Sequence, residues 1–471
     1  MEGIYIYIPN HLLLQIFSCM DPVKLMKLRL VNSDWKAFIE NECKIWRQLV
    51  CSSTEVKPWR YQLIKLKYPS MSCDSYDQLD ADEFKELFIS FIEWRKVYKS
   101  DHCQINCKIP EVQFLNWESG NDAVIDSVDK YIAIASLSEP VRIFLIDVDS
   151  NESIENPLEL TSYFNEIIFN DISDVFHIKI WRPAENKLIL IIKSNDEVLI
   201  FDLNEKIFMR TPELLEYYNE CDTIICRGSN DIYFGFENFG TSQLVFVKCQ
   251  YDAINRKINN ELLLYIDDYL AQRITERFFR FEDMVVINKV MIIAYQVRAH
   301  MRVTVIDFSE VDKFPLTIDV SDKAYTRKIF GKIDMFYSNL IFIYTALPVA
   351  INKNNVSELL TGVAKNFFLD EFSRLKLLET KAAYPDGVTE ITIIKFHLNN
   401  LYLITKKGQL LIYKLKNFEH LKYLDFDRLT PKVIDLKSRG SVKDIFFLEL
   451  REKPIIVIAR KYSPIILLYF H

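Results

Sequence analysis

Glycine is nearly missing from this sequence: 10 in 471 residues, about a third of ordinary usage. Turns must therefore be made by Asn, Asp, Ser and Lys, and glycine-based repeat signatures can be erased while a fold persists. No run of about 18 apolar residues exists, so no membrane-spanning helix is expected. The opening MEGIYIYIPN has neither a basic n-region nor a long apolar h-region, so no secretory signal is expected and the cytosol or nucleus remains. The nine cysteines are odd in number and lack framework spacing, which excludes a disulfide scaffold. Cys103 and Cys107 beside His102 have no second Cys or His pair at zinc-finger distance, so no metal is expected. GxSxG, GxxxxGK[ST], GxGxxG and HExxH are all absent, and the scattered histidines make no constellation, so neither a catalytic residue nor a cofactor is expected. Lys and Arg are mixed among Asp and Glu at a net charge of −7, unlike the clustered basic surface that nucleic acid needs.

What is present begins with a helical stretch, IPNHLLLQIFSCMDPVKLMKLRLVNSDWKAFIENECKIWRQL, from Ile8 to Leu49. Pro9 and Asn10 start a helix in which Leu12, Leu13, Ile16 and Phe17 make one broad apolar face. Asp21-Pro22 restarts the chain, since Asp caps and Pro suits the first helical position. Leu25, Leu28 and Val31 form the next stripe. Ser33 is a candidate cap for a third helix carrying Trp35, Phe38 and Ile39, and Ile45, Trp46 and Leu49 close the unit. So short a unit buries little by itself. Its surplus of apolar residues marks either a protein-binding face or a cap packed on the same chain.

The order of these residues resembles the F-box family. Pro9 after an apolar residue, Leu12-Leu13, Ile16-Phe17, Asp21-Pro22, Leu25, Leu28-Arg29, Val31, Trp35 and Trp46-Arg47 stand at the family's spacing, with His11 where the family often has Glu. The resemblance implies a role: binding the Skp-type adaptor of cullin-based ubiquitin ligases through Ile8, Pro9, Leu12, Leu13, Ile16, Phe17, Leu25, Leu28, Val31 and Trp35. Abundant Ile, Asn, Lys, Phe and Tyr point to an AT-rich genome, such as that of a yeast or another fungus.

Residues 51–103 are expected to be a helical connector. In it DADEFKELFISFIEWRKVYK, Asp80 to Lys99, has acidic residues in its first turn and basic ones in its last, matching the helix dipole. From 104 to 471 the period changes to paired β-rich runs. Seven doublets have second strands starting near Tyr131, Lys187, Asp231, Val290, Leu340, Leu401 and Ile455, at intervals of 56, 44, 59, 50, 61 and 54. Such copies predict an all-β propeller of about seven blades behind the all-α F-box at 5–50, in an α+β multidomain chain. A leucine-rich horseshoe is the rival, but its signature does not recur at roughly 20 to 29 residues. Val112 to Trp117 is the expected closing strand. The fifth copy has no evident third strand, because Ser357 to Lys381 is helix-prone; Asn259 to Phe281 is expected to be insertion or loop.

The resemblance implies a non-catalytic substrate receptor, with a protein target expected on the propeller. The alternative is a structural protein holding the adaptor in another assembly. If the target is phosphorylated, Arg273, Arg277, Arg280, Arg327 and Lys328 are candidate contacts, since Arg pairs bidentately with phosphate. A solvated, salt-bridged face is the plainer reading of the same cations.

Overall fold

The computed structural model describes residues 8–20, 22–52, 55–56, 59–71, 78–107, 124–136, 142–164, 175–194, 197–218, 221–228, 230–238, 243–266, 279–287, 290–297, 300–307, 316–319, 330–337, 340–346, 363–369, 375–379, 391–405, 407–415, 429–436, 442–460 and 465–471.

The chain starts with helices α1 (Asn10–Ser18), α2 (Pro22–Leu28), α3 (Ser33–Asn41), α4 (Cys43–Ser52), α5 (Arg60–Lys67) and α6 (Ala81–Lys96). Asn32, not Ser33, caps α3: its side chain accepts from the amides of Asp34 and Trp35, so Ser33 becomes the first helical residue. Asp80 caps α6 in a capping box, accepting from Glu83 N while the Glu83 carboxylate accepts from Asp80 N at 2.8 Å. No helix among the described residues is long and apolar enough to cross a membrane.

Among the described residues, seven four-stranded antiparallel sheets follow. The first holds β2 (Val124–Val128), β3 (Tyr131–Ser136), β4 (Arg142–Asp147) and β5 (Leu158–Glu159). The second holds β6 (Val175–Ala184), β7 (Lys187–Ser194), β8 (Val198–Asp202) and β9 (Ile207–Met209). The third is β10 (Asp222–Arg227), β11 (Asp231–Asn238), β12 (Gln243–Asp252) and β13 (Lys257–Ile266). Next come β14 (Phe279–Ile287), β15 (Val290–Val297), β16 (His300–Asp307) and β17 (Leu316–Asp319). The fifth has β18 (Phe330–Tyr337), β19 (Leu340–Ala346), β20 (Val363–Leu369) and β21 (Leu375–Glu379). The sixth has β22 (Ile391–His397), β23 (Asn400–Thr405), β24 (Gln409–Lys414) and β25 (Lys432–Asp435). In the seventh, β26 (Val442–Leu450), β27 (Lys453–Arg460) and β28 (Ile466–Phe470) are completed by β1 (His102–Asn106) from far earlier in the chain.

Three expectations are revised. The fifth sheet has its third and fourth strands, β20 and β21, in the stretch read as helix-prone. Pairing with β19 overrides the helix preference of its Leu, Lys and Glu residues. Of Asn259 to Phe281, read as insertion or loop, residues 259–266 belong to strand β13 and residues 279–281 to strand β14. The strand that closes the last sheet is His102–Asn106, two residues before the expected start of the β region; Val112 to Trp117 lies outside the described residues.

The first strand of each sheet packs on the first strand of the next, from β2 to β6, β10, β14, β18, β22 and β26, and β26 packs again on β2. These strands turn one backbone edge to their neighbours, and unpaired amides and carbonyls there need partners. Side chains supply them. The Asp126 carboxylate accepts from Ile180 N at 2.8 Å. Arg227 donates to Ser127 O at 2.8 Å and Ile180 O at 3.1 Å. Lys395 donates to Ile445 O at 2.6 Å.

Scarce glycine has a visible cost at the turns. Asp129, Lys206, Arg256, Leu398, Arg451 and Glu452 all adopt positive φ. Arg451 and Glu452 do so as a pair, at 48° and 65°, in the tight β26–β27 turn, where mirror-image turns favour Asn-Gly. Leu398, at φ 50°, is the most strained of these, being bulky and unable to bond its own backbone. It is fully buried, and Gln62 of α5 accepts from its amide at 2.7 Å.

Candidate functional site

Two surfaces of the helical end are built from large side chains. One is the outer face of α1. Adjacent residues on a helix point about 100° apart, so Leu12-Leu13 and Ile16-Phe17 split into two stripes. Leu13 and Phe17 turn inward, and Phe17 is 1% exposed, edge-on to Trp35 at 5.7 Å. Leu12 and Ile16 stay 41% and 48% exposed. Beyond the end of α2, Leu30 and Val31 reach 88% and 69%.

The ten residues assigned to adaptor binding thus divide. Leu12, Ile16 and Val31 are exposed; Ile8, Pro9, Leu28 and Trp35 are half-buried; Leu13, Phe17 and Leu25 lie in the core. Leu30 is the exposed member that sequence reasoning left out; its signal is a Leu-Val pair just before the Asn32 cap. Arg29 turns away from this face and bonds Glu40 of α3, with Nε at 3.1 Å. That bond holds the Glu40 carboxyl below its ordinary pKa. Gln48 of α4 donates to Ser18 O at 3.1 Å, and the buried Trp46 indole donates to Ile39 O at 2.7 Å. The face is therefore carried on a braced frame.

The other surface is the inner side of α6, which is wholly covered. Trp94 is 0% exposed, and its ring lies 4.2 Å from that of His397 and 5.8 Å from that of Phe447. His397 in turn stacks on Phe447 at 4.4 Å. Burial, with Lys395 nearby, pushes the His397 imidazole down to a pKa of about 3, so it is neutral. Glu449 of β26 gathers both connector helices. One oxygen accepts from Ser90 Oγ at 2.5 Å and Trp94 Nε1 at 3.1 Å. The other lies 2.5 Å from Lys67 Nζ of α5, a charge pair off the line of an N–H bond. Asn400 donates to Trp94 O at 2.9 Å, and Lys432 of β25 donates to Val97 O and Ser100 O, capping the negative end of α6. One apolar core runs without a break from Leu13 through Trp94 to the sixth and seventh sheets.

Of the target-side cations, Arg280 lies on β14 opposite Gln296. Arg273, Arg277, Arg327 and Lys328 lie outside the described residues. Among the described residues no cluster of His, Cys, Asp and Glu is arranged to hold a metal; His102 and Cys103 are exposed on β1 while Cys107 is buried.

Residues 6–52 match the F-box-like family model. No curated protein matches the chain. Among solved structures, a chain in the crystal structure of a mitotic checkpoint complex aligns at 12% identity and a TM-score of 0.44, over 79% of this chain and 94% of that one. The polysaccharide lyase Uly1 aligns at 10% and 0.44, over 77% and 94%. The computationally designed protein Ika8 aligns at 9% and 0.41, over 74% and 96%. At such similarity none of these names carries over to this chain.

Proposed function

We propose that this chain is the substrate-receptor subunit of a cullin-type ubiquitin ligase. The face of Leu12, Ile16, Leu30 and Val31 seats a Skp-type adaptor. The seven sheets form a closed β-propeller that holds the protein target. The observation carrying this reading is that Leu12 and Ile16 stand half-exposed on α1, inside the stretch that matches the F-box-like model, while their neighbours Leu13 and Phe17 fill the core. A finished intramolecular cap has no need of such residues outside. The propeller reading is supported by the cyclic succession of first strands and by β1, which joins the last sheet from the start of the β region.

In this reading the chain performs no bond chemistry. It contributes proximity, raising the effective concentration of a target lysine at the conjugating enzyme. Proximity at a set distance needs a stiff link, and the continuous core from α1 to the seventh sheet supplies one. The test is affinity purification of the intact chain beside the double variant Leu12→Asp, Ile16→Asp, with mass spectrometry of the captured proteins. Adaptor and cullin on the intact chain alone are expected. Adaptor without cullin moves the reading to a structural assembly outside a ligase. No adaptor on either chain overturns it.

A further inference from the structure

Each sheet has an outer strand, at the edge opposite its first strand. A long open edge invites pairing with another chain, so natural sheets keep such edges short or blunt them. Among the described residues the outer strands β5, β9, β17, β21, β25 and β1 have 2, 3, 4, 5, 4 and 5 residues. Outer strand β13, KINNELLLYI, has 10 and contains no proline. Among the described residues it pairs with β12 alone. One row of its amides and carbonyls therefore points away from the sheet.

This edge is held in place. Ile258 is buried in a core shared with the second sheet. Asp252 ties the β12–β13 turn, accepting from Ile254 N at 3.0 Å, Asn255 N at 3.1 Å and Asn255 Nδ2 at 2.7 Å. The turn holds Ile254 93% exposed, and Leu262 further along β13 is 40% exposed. Lys257, Asn259 and Glu261 are exposed and alternate with Ile258 and Asn260. Across β12, Lys257 and Glu261 stand opposite Asp252 and Lys248. Both of those charges are engaged elsewhere, Asp252 in the turn and Lys248 with Asp231 at 3.4 Å. Among the described residues neither Lys257 nor Glu261 makes an ion pair.

We propose that β13 pairs antiparallel with β13 of a second copy of this chain, about a twofold axis at Asn259. Charge selects the occupant and the register. About that axis Lys257 of each copy stands directly opposite Glu261 of the other, so symmetry makes two complementary pairs. An axis at Ile258 or Asn260 would set Lys257 opposite Asn259 or Leu263, and an axis at Glu261 would set two carboxylates against each other. The same axis carries the Leu262 end of one strand past the turn of the other. The exposed Ile254 and Leu262 of opposite copies then lie side by side at both ends of the contact. Pairing joins the third sheets of the two copies into one continuous sheet and gives the outward row of backbone groups its partners. The contact is one strand against one strand, so the dimer forms and parts with concentration. It rests on β13 and not on the adaptor reading.

The test is sedimentation velocity of the purified intact chain over about a hundredfold range of concentration. Monomer giving way to dimer is expected, with the β13 amides gaining protection from hydrogen exchange as the dimer fills. Lys257→Glu and Glu261→Lys each set two like-charge pairs across the axis and should weaken the dimer about tenfold or more. The variant carrying both changes has opposite charges facing again and should recover the affinity to within about threefold. A role of either charge within its own chain would not produce that recovery. Melting curves check that each variant is folded. Leu12→Asp with Ile16→Asp should leave the dimer intact, so adaptor capture and self-pairing fail separately. The proposal is overturned if the chain stays monomeric across the range, if either single reversal dimerises as tightly as the intact chain, if the double variant does not recover, or if the α1 changes dissolve the dimer. A monomer with slowly exchanging β13 amides gives this edge to a strand of its own chain. A monomer with fast-exchanging ones leaves it to solvent or to a strand of another protein.

Discussion

The inner side of α6 and the outer side of α1 are both rich in large side chains, and the chain treats them in opposite ways. Around Trp94 the apolar surface is covered, and Trp94 Nε1, Trp94 O and Val97 O meet partners from two sheets: Glu449, Asn400 and Lys432. On α1, Leu12 and Ile16 are uncovered. The first surface is an interior that happens to join two parts of one chain. The second has the composition of an interior without the other half. Apolar content alone therefore does not tell a core from a docking face; whether the rest of the chain covers it does.

The largest effect should come from breaking the covered side. Trp94→Ala removes a fully buried ring that touches His397 and Phe447, and such truncations cost about 3–5 kcal/mol. Calorimetry should show a markedly lower unfolding midpoint, and amide exchange should show α6 losing protection together with β26. If α6 alone loosens while β26 keeps its protection, the core is not shared.

Glu449→Ala comes next. It leaves Lys67, Ser90 and Trp94 facing a site without its acceptor, which costs about 2–4 kcal/mol for a group this buried. Urea denaturation reads the loss directly. A double-mutant cycle with Lys67→Met should return part of it, because the stranded ammonium is then gone.

The same seam carries a pH dependence. His397 is neutral in the folded chain with a pKa near 3, and an unfolded histidine titrates near 6.5. Between those values the unfolded state holds more protons, so stability rises with pH. The contribution is complete above about pH 6.5 and is lost progressively as pH falls towards 3. From pH 7 to pH 5 the loss from this group is about 2 kcal/mol. His397→Phe, which keeps an aromatic ring between Trp94 and Phe447, should flatten the stability–pH curve over that interval by that amount. An unchanged slope in the variant would remove His397 from the account.

How much of this contrast was legible in the sequence differs by element. The acidic start and basic end of α6 and the doublets of strands are local patterns, and the second strands fall where the doublets put them, at Tyr131, Lys187 and Asp231 among others. Strands β20 and β21 were hidden because LKLLE is as good a helix as a strand until β19 pairs beside it. Strand β1, HCQIN, carries little β-signal of its own, and its partner Ile466–Phe470 lies more than 350 residues away in the chain. Glu449 reads as a charge at the end of a strand; only the fold brings Ser90, Trp94 and Lys67 to it. On α1 the spacing identifies two apolar stripes, but which of them α3 and α4 cover is a tertiary fact.

The uncovered side gives the smallest stability effect and the sharpest functional one. Leu12→Asp and Ile16→Asp replace side chains that are already 41% and 48% in water, so the folded chain should change by no more than about 0.5 kcal/mol for each. Phe17→Ala, one residue beyond Ile16 and buried, should cost about 3–5 kcal/mol. Adaptor binding should invert that order. The aspartates place unpaired charges in what becomes a buried interface, which abolishes capture, while Phe17→Ala weakens capture only through the loss of folded chain. Titrating purified adaptor against each variant, with melting curves run alongside, separates the two quantities. If Leu12→Asp lowers the melting point as far as Phe17→Ala does, α1 is covered by its own chain in solution, and the contrast between the two surfaces disappears.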